Sequence, residues 1–205
     1  MKVISATTEI LGDVNGLELL KSIETAGRTC YKSEDKITDD SCVKFVERLI
    51  QSGHEAMIEH ASISVRFICD RGVTHEIVRH RIASYAQEST RYCNYSKDKF
   101  DNGVTFIKPL FFEGEKLKIW EESMAFAEKQ YLRLIEMGAT AQEARAVLPN
   151  STKTEIIVTM NLREWRHFFK LRTSKAAHPQ MIEVAATLLQ KMKEVVPVVF
   201  DDIQP

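Results

Sequence analysis

Between Lys44 and Lys97 the chain carries no lysine, yet Arg48, Arg66, Arg71, Arg79, Arg81 and Arg91 all fall in that interval. Of the 28 basic residues 16 are lysine and 12 arginine, so the segregation is not a habit of composition. A guanidinium is a rigid fork that grips phosphate or a carbonyl edge with two parallel hydrogen bonds, whereas an ammonium is a point charge. Residues 77 to 87 contain no Asp or Glu, so Arg79, His80 and Arg81 have no carboxylate beside them in sequence. Two readings stand: carboxylates brought in from elsewhere, the common surface arrangement, or a ligand as counter-charge. The residues that follow supply hydroxyls and an amide (Ser84, Gln87, Ser89, Thr90), a further fork (Arg91) and two flat faces (Tyr85, Tyr92). That set suits a nucleotide, with Arg for phosphate, an amide for a base edge and Tyr for packing. The alternative is a solvated loop anchored by its tyrosines. On a helix, Glu76, Arg79 and His80 would share one face at i, i+3, i+4, making an Arg–Glu pair a structural option.

His54 and His60 in HEAMIEH invite a zinc reading. Metalloprotease histidines sit four apart, about 40° around a helix, whereas these are six apart and about 120° around it. No metal site is therefore expected, and hydrogen-bonding or structural roles are. Arg145 precedes a helix stop at Pro149, where a cation complements the helix dipole. Arg172 leads from an aromatic helix into a loop with Lys175 and His178. The four cysteines, Cys30, Cys42, Cys69 and Cys93, have no C-x-x-C spacing and read as buried, reduced thiols of a cytoplasmic protein.

The elements that must position these groups follow from periodicity. Val3 to Thr7 predicts an opening strand; Leu17, Leu20, Ile23 and Glu24 begin a helix, and Val43, Val46, Leu49 and Ile50 a second. Ser33 to Ser41 is a polar surface loop. Ala61, Ile63, Val65, Phe67 and Cys69 alternate with Ser62, Ser64, Arg66 and Ile68, the period of a strand with one buried face. A short helix after Gly72 carries THEIVRHR, and Ser84 to Ser96 reads as loop. Leu117, Trp120, Met124, Ala127, Tyr131 and Leu134 fit one long helix closing near Gly138. Thr140 with Glu143 forms a capping box, Thr154 to Met160 a buried strand, and Asn161 with Glu164 the cap of a helix whose Trp165, Phe168, Phe169 and Leu171 are core. Pro179 suits the first turn of a last helix running to about Val196.

These elements predict an α/β protein of the α+β kind, a mostly antiparallel sheet flanked by helices, one of them long and in the second half. With no repeat or linker, residues 1–205 read as a single domain. A hydrophobic share of 44% supports a real core, and 28 basic against 29 acidic residues argue against a nucleic-acid-coating protein. No run approaches the ~18 apolar residues of a membrane span, and MKVISATTEI lacks a signal-peptide core.

RHRIASYAQESTRY (79–92), in which Arg79-His80-Arg81 is followed after seven residues by Ser89, resembles the signature of flavin-dependent thymidylate synthases. GHEAMIEHASISVRF (53–67), EARAVLP (143–149), NLREWRHFFKLR (161–172) and AHPQMIEVA (177–185) resemble the family in the same order. The resemblance implies conversion of dUMP to dTMP, with methylene-tetrahydrofolate as carbon donor and FAD, reduced by NADPH, supplying the hydride. It implies FAD contacts from Arg79, His80, Arg81, Gln87, Asn161, Leu162, Arg163 and His167, with His54 near the flavin. It implies dUMP contacts from Glu76, Arg79, Gln87, Glu88, Ser89, Thr90, Arg91, Arg145 and Arg172. Arg172 matches the family's catalytic arginine, which favours ionisation of the uracil at its imide nitrogen; a guanidinium there stabilises developing negative charge. Ser89 reads as a hydrogen-bonding group rather than a nucleophile, since no His/Asp relay stands in its loop. Some members have Gln, Glu, Gly and Asn where this chain has Glu76, Gln87, Thr90 and His167. The family further implies a homotetramer with active sites shared between chains, in the cytoplasm, with no nucleic-acid or membrane partner. A nucleic-acid-binding module and a non-catalytic flavin- or nucleotide-binding relative are the alternatives, the first predicting strongly salt-dependent binding.

Overall fold

The computed structural model describes residues 1–204. Its strands are β1 (Lys2–Ile4), β2 (Thr7–Ile10), β3 (Ser62–Asp70), β4 (Ala83–Gln87), β5 (Thr105–Ile107) and β6 (Lys153–Asn161). The α-helices are α1 (Gly16–Thr29), α2 (Ser41–Gln51), α3 (Arg71–Ile77), α4 (Gly114–Glu136), α5 (Ala141–Ala144), α6 (Leu162–Arg172), α7 (Pro179–Val195) and α8 (Pro197–Phe200). An antiparallel sheet has the order β2-β3-β6-β4, and β1 pairs with β5 in a separate parallel ribbon with Lys2 opposite Thr105. This is the α+β architecture expected, with α4 as the long helix of the second half.

Two compact units emerge: residues 1–7, 67–79 and 86–156 in one, and 8–66, 80–85 and 157–204 in the other. The division falls within all four strands of the larger sheet, so neither unit is a continuous stretch of chain. In the first unit, α4 buries Trp120, Met124 and Tyr131 in a cluster with Tyr95, Val104 and Phe106. Its polar atoms are used as well: Trp120 Nε1 donates to Ser151 Oγ at 3.1 Å, and the Tyr131 hydroxyl accepts from the Tyr95 N–H at 3.2 Å. The capping box of α5 forms as the Thr140/Glu143 spacing requires.

The second unit holds α1, α2, α6, α7 and α8. Asn15 caps α1, its Oδ1 accepting from Leu17 and Glu18 N–H. Gly16 is there because a Cβ would lie 1.9 Å from the Val195 carbonyl oxygen at the end of α7. The aromatic face of α6 is fully buried, with Trp165 stacked on Phe169 at 5.9 Å and Phe169 edge-on to Phe200 at 5.6 Å. Trp165 Nε1 donates to the Ile63 carbonyl of β3, which settles its only polar atom.

Several expectations need correction. The opening strand is two strands, β1 and β2, belonging to different sheets, and β5 was not anticipated from its three residues. The helix after Gly72 ends at Ile77, so Arg79 and His80 lie beyond it rather than on one face with Glu76. Asp70 caps that helix and Val78 closes it after two turns, because the chain must reverse into β4. The first residues of the expected Ser84–Ser96 loop form β4; at the edge of the sheet, its half-exposed alternation hides the strand period. Leu171 is exposed, and of the four free cysteines Cys42 and Cys69 are buried, Cys93 is half-buried and Cys30 is exposed.

Candidate active site

The helix α6 carries Glu164, Phe168 and Arg172 at i, i+4 and i+8, a single ridge of its surface. The imidazole of His80 lies along that ridge. Its Nδ1 is 2.9 Å from Glu164 Oε1, its Nε2 receives Arg172 Nε at 3.1 Å, and its ring packs against Phe168 with centroids 5.0 Å apart. The Tyr85 hydroxyl donates to the His80 carbonyl, fixing the backbone from the other side. Local structure explains why Glu164 is available: Asn161 caps α6, its Oδ1 accepting from Glu164 N–H at 2.8 Å, which places the carboxylate in the positive first turn. Arg172 occupies the last turn, the favourable end for a cation.

This geometry decides the tautomer. Arginine Nε can only donate, so His80 Nε2 accepts, and the ring proton is on Nδ1, donated to Glu164. His80 is 4% exposed, and its pKa is held below the ordinary value by burial, with the Arg172 charge adding to that and the Glu164 carboxylate opposing it. The imidazole is a neutral spacer between an anion and a guanidinium. Burial likewise pushes the Tyr85 hydroxyl up to about 12, so it remains a donor.

His167 stands with its ring 5.5 Å from that of His80, and one donor atom each from His80, Glu164 and His167 lie within 4.8 Å of one another. Such a trio has metal-ligand chemistry. Here a cation would have to displace both the Nδ1 proton and the Arg172 donor while sitting beside a guanidinium, so the arrangement is a hydrogen-bonded relay. The sequence reading weighed only His54 and His60 as ligands and missed this cluster. Its signal was the Glu164-x-x-His167 spacing on a helix.

A cavity of about 420 Å³ opens on this side of α6, lined by Ile82, Asn161, Arg163, Glu164, His167 and Glu59 among others. Ile82 is 67% exposed, an apolar group left for contact. Arg163 is held by Glu59 at 2.6 Å. Leu162 is fully buried with its N–H bonded to the Ala61 carbonyl, so its side chain is core and not available to a ligand. His54 lines a different, apolar cavity with Phe45, Met57 and Tyr31. Arg81, in this unit, and Arg79, in the other, are both exposed. Among the described residues neither guanidinium has a carboxylate partner, so their counter-charge is not supplied by the chain.

The first unit gathers most of the residues expected at dUMP: Glu76, Arg79, Gln87, Glu88, Ser89, Thr90, Arg91 and Arg145. Gln87 donates to Thr74 and Thr154 hydroxyls at 3.0 and 3.3 Å. After β4 the chain turns tightly, Ser89 O accepting from the Tyr92 and Cys93 N–H groups and Ser89 Oγ from the Arg91 N–H. Thr90 is buried and receives Arg145 Nη1 at 3.2 Å. Arg91 is exposed, stacked over Tyr92 at 5.4 Å. Among the described residues no His or Asp bonds to Ser89 Oγ. The Glu88 carboxylate is taken by Tyr95 and Lys153, away from a ligand role of its own.

The chain thus has an α+β fold, a relay of Glu164, His80 and Arg172, and exposed guanidinium groups at Arg79 and Arg81 that have no carboxylate partner among the described residues. The family described as "Thymidylate synthase complementing protein" (Thy1) matches residues 17–198. A flavin-dependent thymidylate synthase of Geobacter sulfurreducens is 34% identical over 191 residues, covering 90% of this chain and 82% of the relative. That of Pyrococcus furiosus is 36% identical over 180 residues, covering 87% and 72%. A crystal structure of the UMP/dUMP methylase PolB from Streptomyces cacaoi, bound with 5-Br dUMP, shares the fold with a TM-score of 0.81 at 24% identity, over 98% of this chain and 96% of that one. The chain belongs to the flavin-dependent thymidylate synthase family.

Proposed function

We propose that the protein is a thymidylate synthase that methylates dUMP to dTMP, with methylene-tetrahydrofolate as carbon donor, FAD as cofactor and NADPH as reductant. The observation that carries this reading is the exposed, carboxylate-free pair Arg79 and Arg81 on either side of a buried, neutral His80 that is bonded to Arg172. The donor set fits the flavin nucleotide: forked cations for a pyrophosphate, and a cavity with an amide, an imidazole and an exposed aliphatic group at Asn161, His167 and Ile82. When bound, FAD carries the hydride between NADPH and the transferred carbon.

The protein's part is binding and electrostatics. Arg79 and Arg81 grip the pyrophosphate. Ser89, Arg91 and Arg145 hold the nucleotide substrate, with the exposed forks on its phosphate. Arg172, its Nε edge fixed by His80, keeps its guanidinium plane oriented and stabilises negative charge at the uracil imide. A homotetramer with active sites shared between chains supplies Arg172 and the Ser89 loop to one nucleotide. The family likeness also supports a cytoplasmic enzyme; all four cysteines are free, and among the described residues no helix is long and apolar enough to cross a membrane.

The test is the visible absorption spectrum of freshly purified protein, before and after dUMP. An oxidised-flavin spectrum perturbed by dUMP is expected, followed by dTMP formation with methylene-tetrahydrofolate and NADPH. Colourless protein that takes up no added FAD would overturn the proposal and favour a nucleic-acid-binding module.

A further inference from the structure

The Ser89–Arg91 turn is clamped at both ends by one carboxylate. Glu88, directly before it, donates its N–H to the Glu155 carbonyl of β6 at 2.8 Å, extending the β4–β6 ladder by one residue. The Glu88 side chain then accepts from the Tyr95 hydroxyl at 2.8 Å and from Lys153 Nζ at 2.9 Å. Tyr95 lies past the far end of the turn and is itself anchored in the buried cluster of α4. Lys153 also donates to Glu155 Oε1 at 2.6 Å. The side chains of Glu88 and Lys153 are only 13% and 18% exposed.

Charge accounting gives Lys153 its importance. Glu88 and Glu155 put two carboxylates against one ammonium. Burial alone would lower the Lys153 pKa, yet its bonds to Glu155 and Glu88 hold it above the ordinary range. Burial beside Glu88 pushes the Tyr95 hydroxyl up, so it stays a donor. Without Lys153, Glu88, whose side chain is the more buried of the two acids, loses its ion pair and keeps only the Tyr95 hydroxyl as a side-chain partner among the described residues. A cavity of about 270 Å³ alongside gives Glu88 room to swing. The other cations on that cavity are occupied: Lys2 pairs with Asp101 at 3.1 Å, and Lys99 sits over the Phe100 ring.

We propose that Lys153 is a positioning residue for nucleotide binding: by neutralising Glu88 and Glu155 it fixes where Ser89, Thr90 and Arg91 present their donors. This rests on the reading of that turn as part of the dUMP site.

The experiment compares Lys153→Met and Lys153→Arg with the wild type, in flavin-loaded protein, by calorimetric dUMP titration and steady-state kinetics. Lys153→Met is expected to raise both the dUMP Kd and KM about 10-fold, with kcat and flavin content within about 2-fold, and Lys153→Arg to restore binding to within about 3-fold. A structural role alone would lower thermal stability and leave KM unmoved. If the wild type binds dUMP and Lys153→Met binds it equally well, the inference is overturned while the proposed function stands. If the wild type binds no dUMP, it is the proposed function that fails. Should Lys153→Met not fold, Tyr95→Phe removes one oxygen from the same clamp. A KM rise of about 3-fold is then the supporting result, and an unchanged KM the contrary one.

Discussion

Replacing Glu164 with alanine removes the one acceptor that, among the described residues, is positioned for the His80 Nδ1 proton, in a residue that is 4% exposed and cannot turn to water. A hydrogen bond to a charged partner contributes about 1.5–3 kcal/mol, and an acid in the first turn of a helix a further ~0.3–1 kcal/mol. The sum is roughly 2–4 kcal/mol, since Glu164 is both the relay's anion and the first-turn acid of α6. For a chain of this size each kcal/mol shifts the midpoint by about 2–4 °C, so Tm falls by roughly 4–16 °C. Circular dichroism melts at pH 8, where the imidazole is neutral, measure it directly. Glu164→Gln keeps an uncharged acceptor and is expected to recover about half of the loss. Nitrogen-15 spectra of the histidines supply the second arm, with His80 expected as the Nδ1–H tautomer. A Glu164→Ala protein within about 0.5 kcal/mol of wild type, or His80 found protonated on Nε2, would refute the relay.

Because the folded pKa of His80 lies below the ordinary 6.5, the unfolded chain binds its proton first, so His80 stabilises fully above pH 6.5 and progressively less as pH falls toward the folded value. The slope is at most about 1.4 kcal/mol per pH unit, and urea midpoints from pH 7.5 to 5.5 should be steeper for wild type than for His80→Gln; equal slopes would contradict this. Arg79→Ala and Arg81→Ala are each expected to weaken FAD binding about 10–100-fold while leaving flavin-free stability within about 0.5 kcal/mol, because no carboxylate among the described residues loses a partner. Fluorescence titration with FAD and a melt of the same samples separate the two effects. Asp202→Ala strips the carboxylate from both Nη atoms of Arg166, whose side chain is 2% exposed and keeps Glu55 at 3.0 Å and the Val199 carbonyl on Nη1. A loss of about 2–3 kcal/mol in urea unfolding is expected, and an unchanged midpoint would show the pair to be idle.

The elements of strong period were legible without coordinates. Trp120, Met124 and Tyr131 announce α4, the alternation from Ala61 to Cys69 announces β3, and the Asn161–Glu164 and Thr140–Glu143 spacings give two caps that form as read. Each is a local rule in which nearby residues contain the whole signal. Short and edge elements were not legible: β5 has three residues, and β4 is stabilised by pairing with β6 rather than by its own pattern.

The candidate site divides along the same line. That Arg79 and Arg81 lack acids nearby is a statement about sequence, and it survives folding. That His80 is buried, neutral and bonded to Glu164 and Arg172 depends on contacts spanning 84 and 92 residues. The i, i+4, i+8 ridge of Glu164, Phe168 and Arg172 was present in the sequence, but nothing local marks which imidazole lies along it. Likewise Glu88, which belongs by motif to the substrate loop, is claimed by Lys153 from 65 residues away. Residue type and spacing determined the chemistry this chain has available. Tertiary structure alone decided which charges neutralise one another and which are left for a ligand, because pairing energies depend on distance and burial and not on order along the chain.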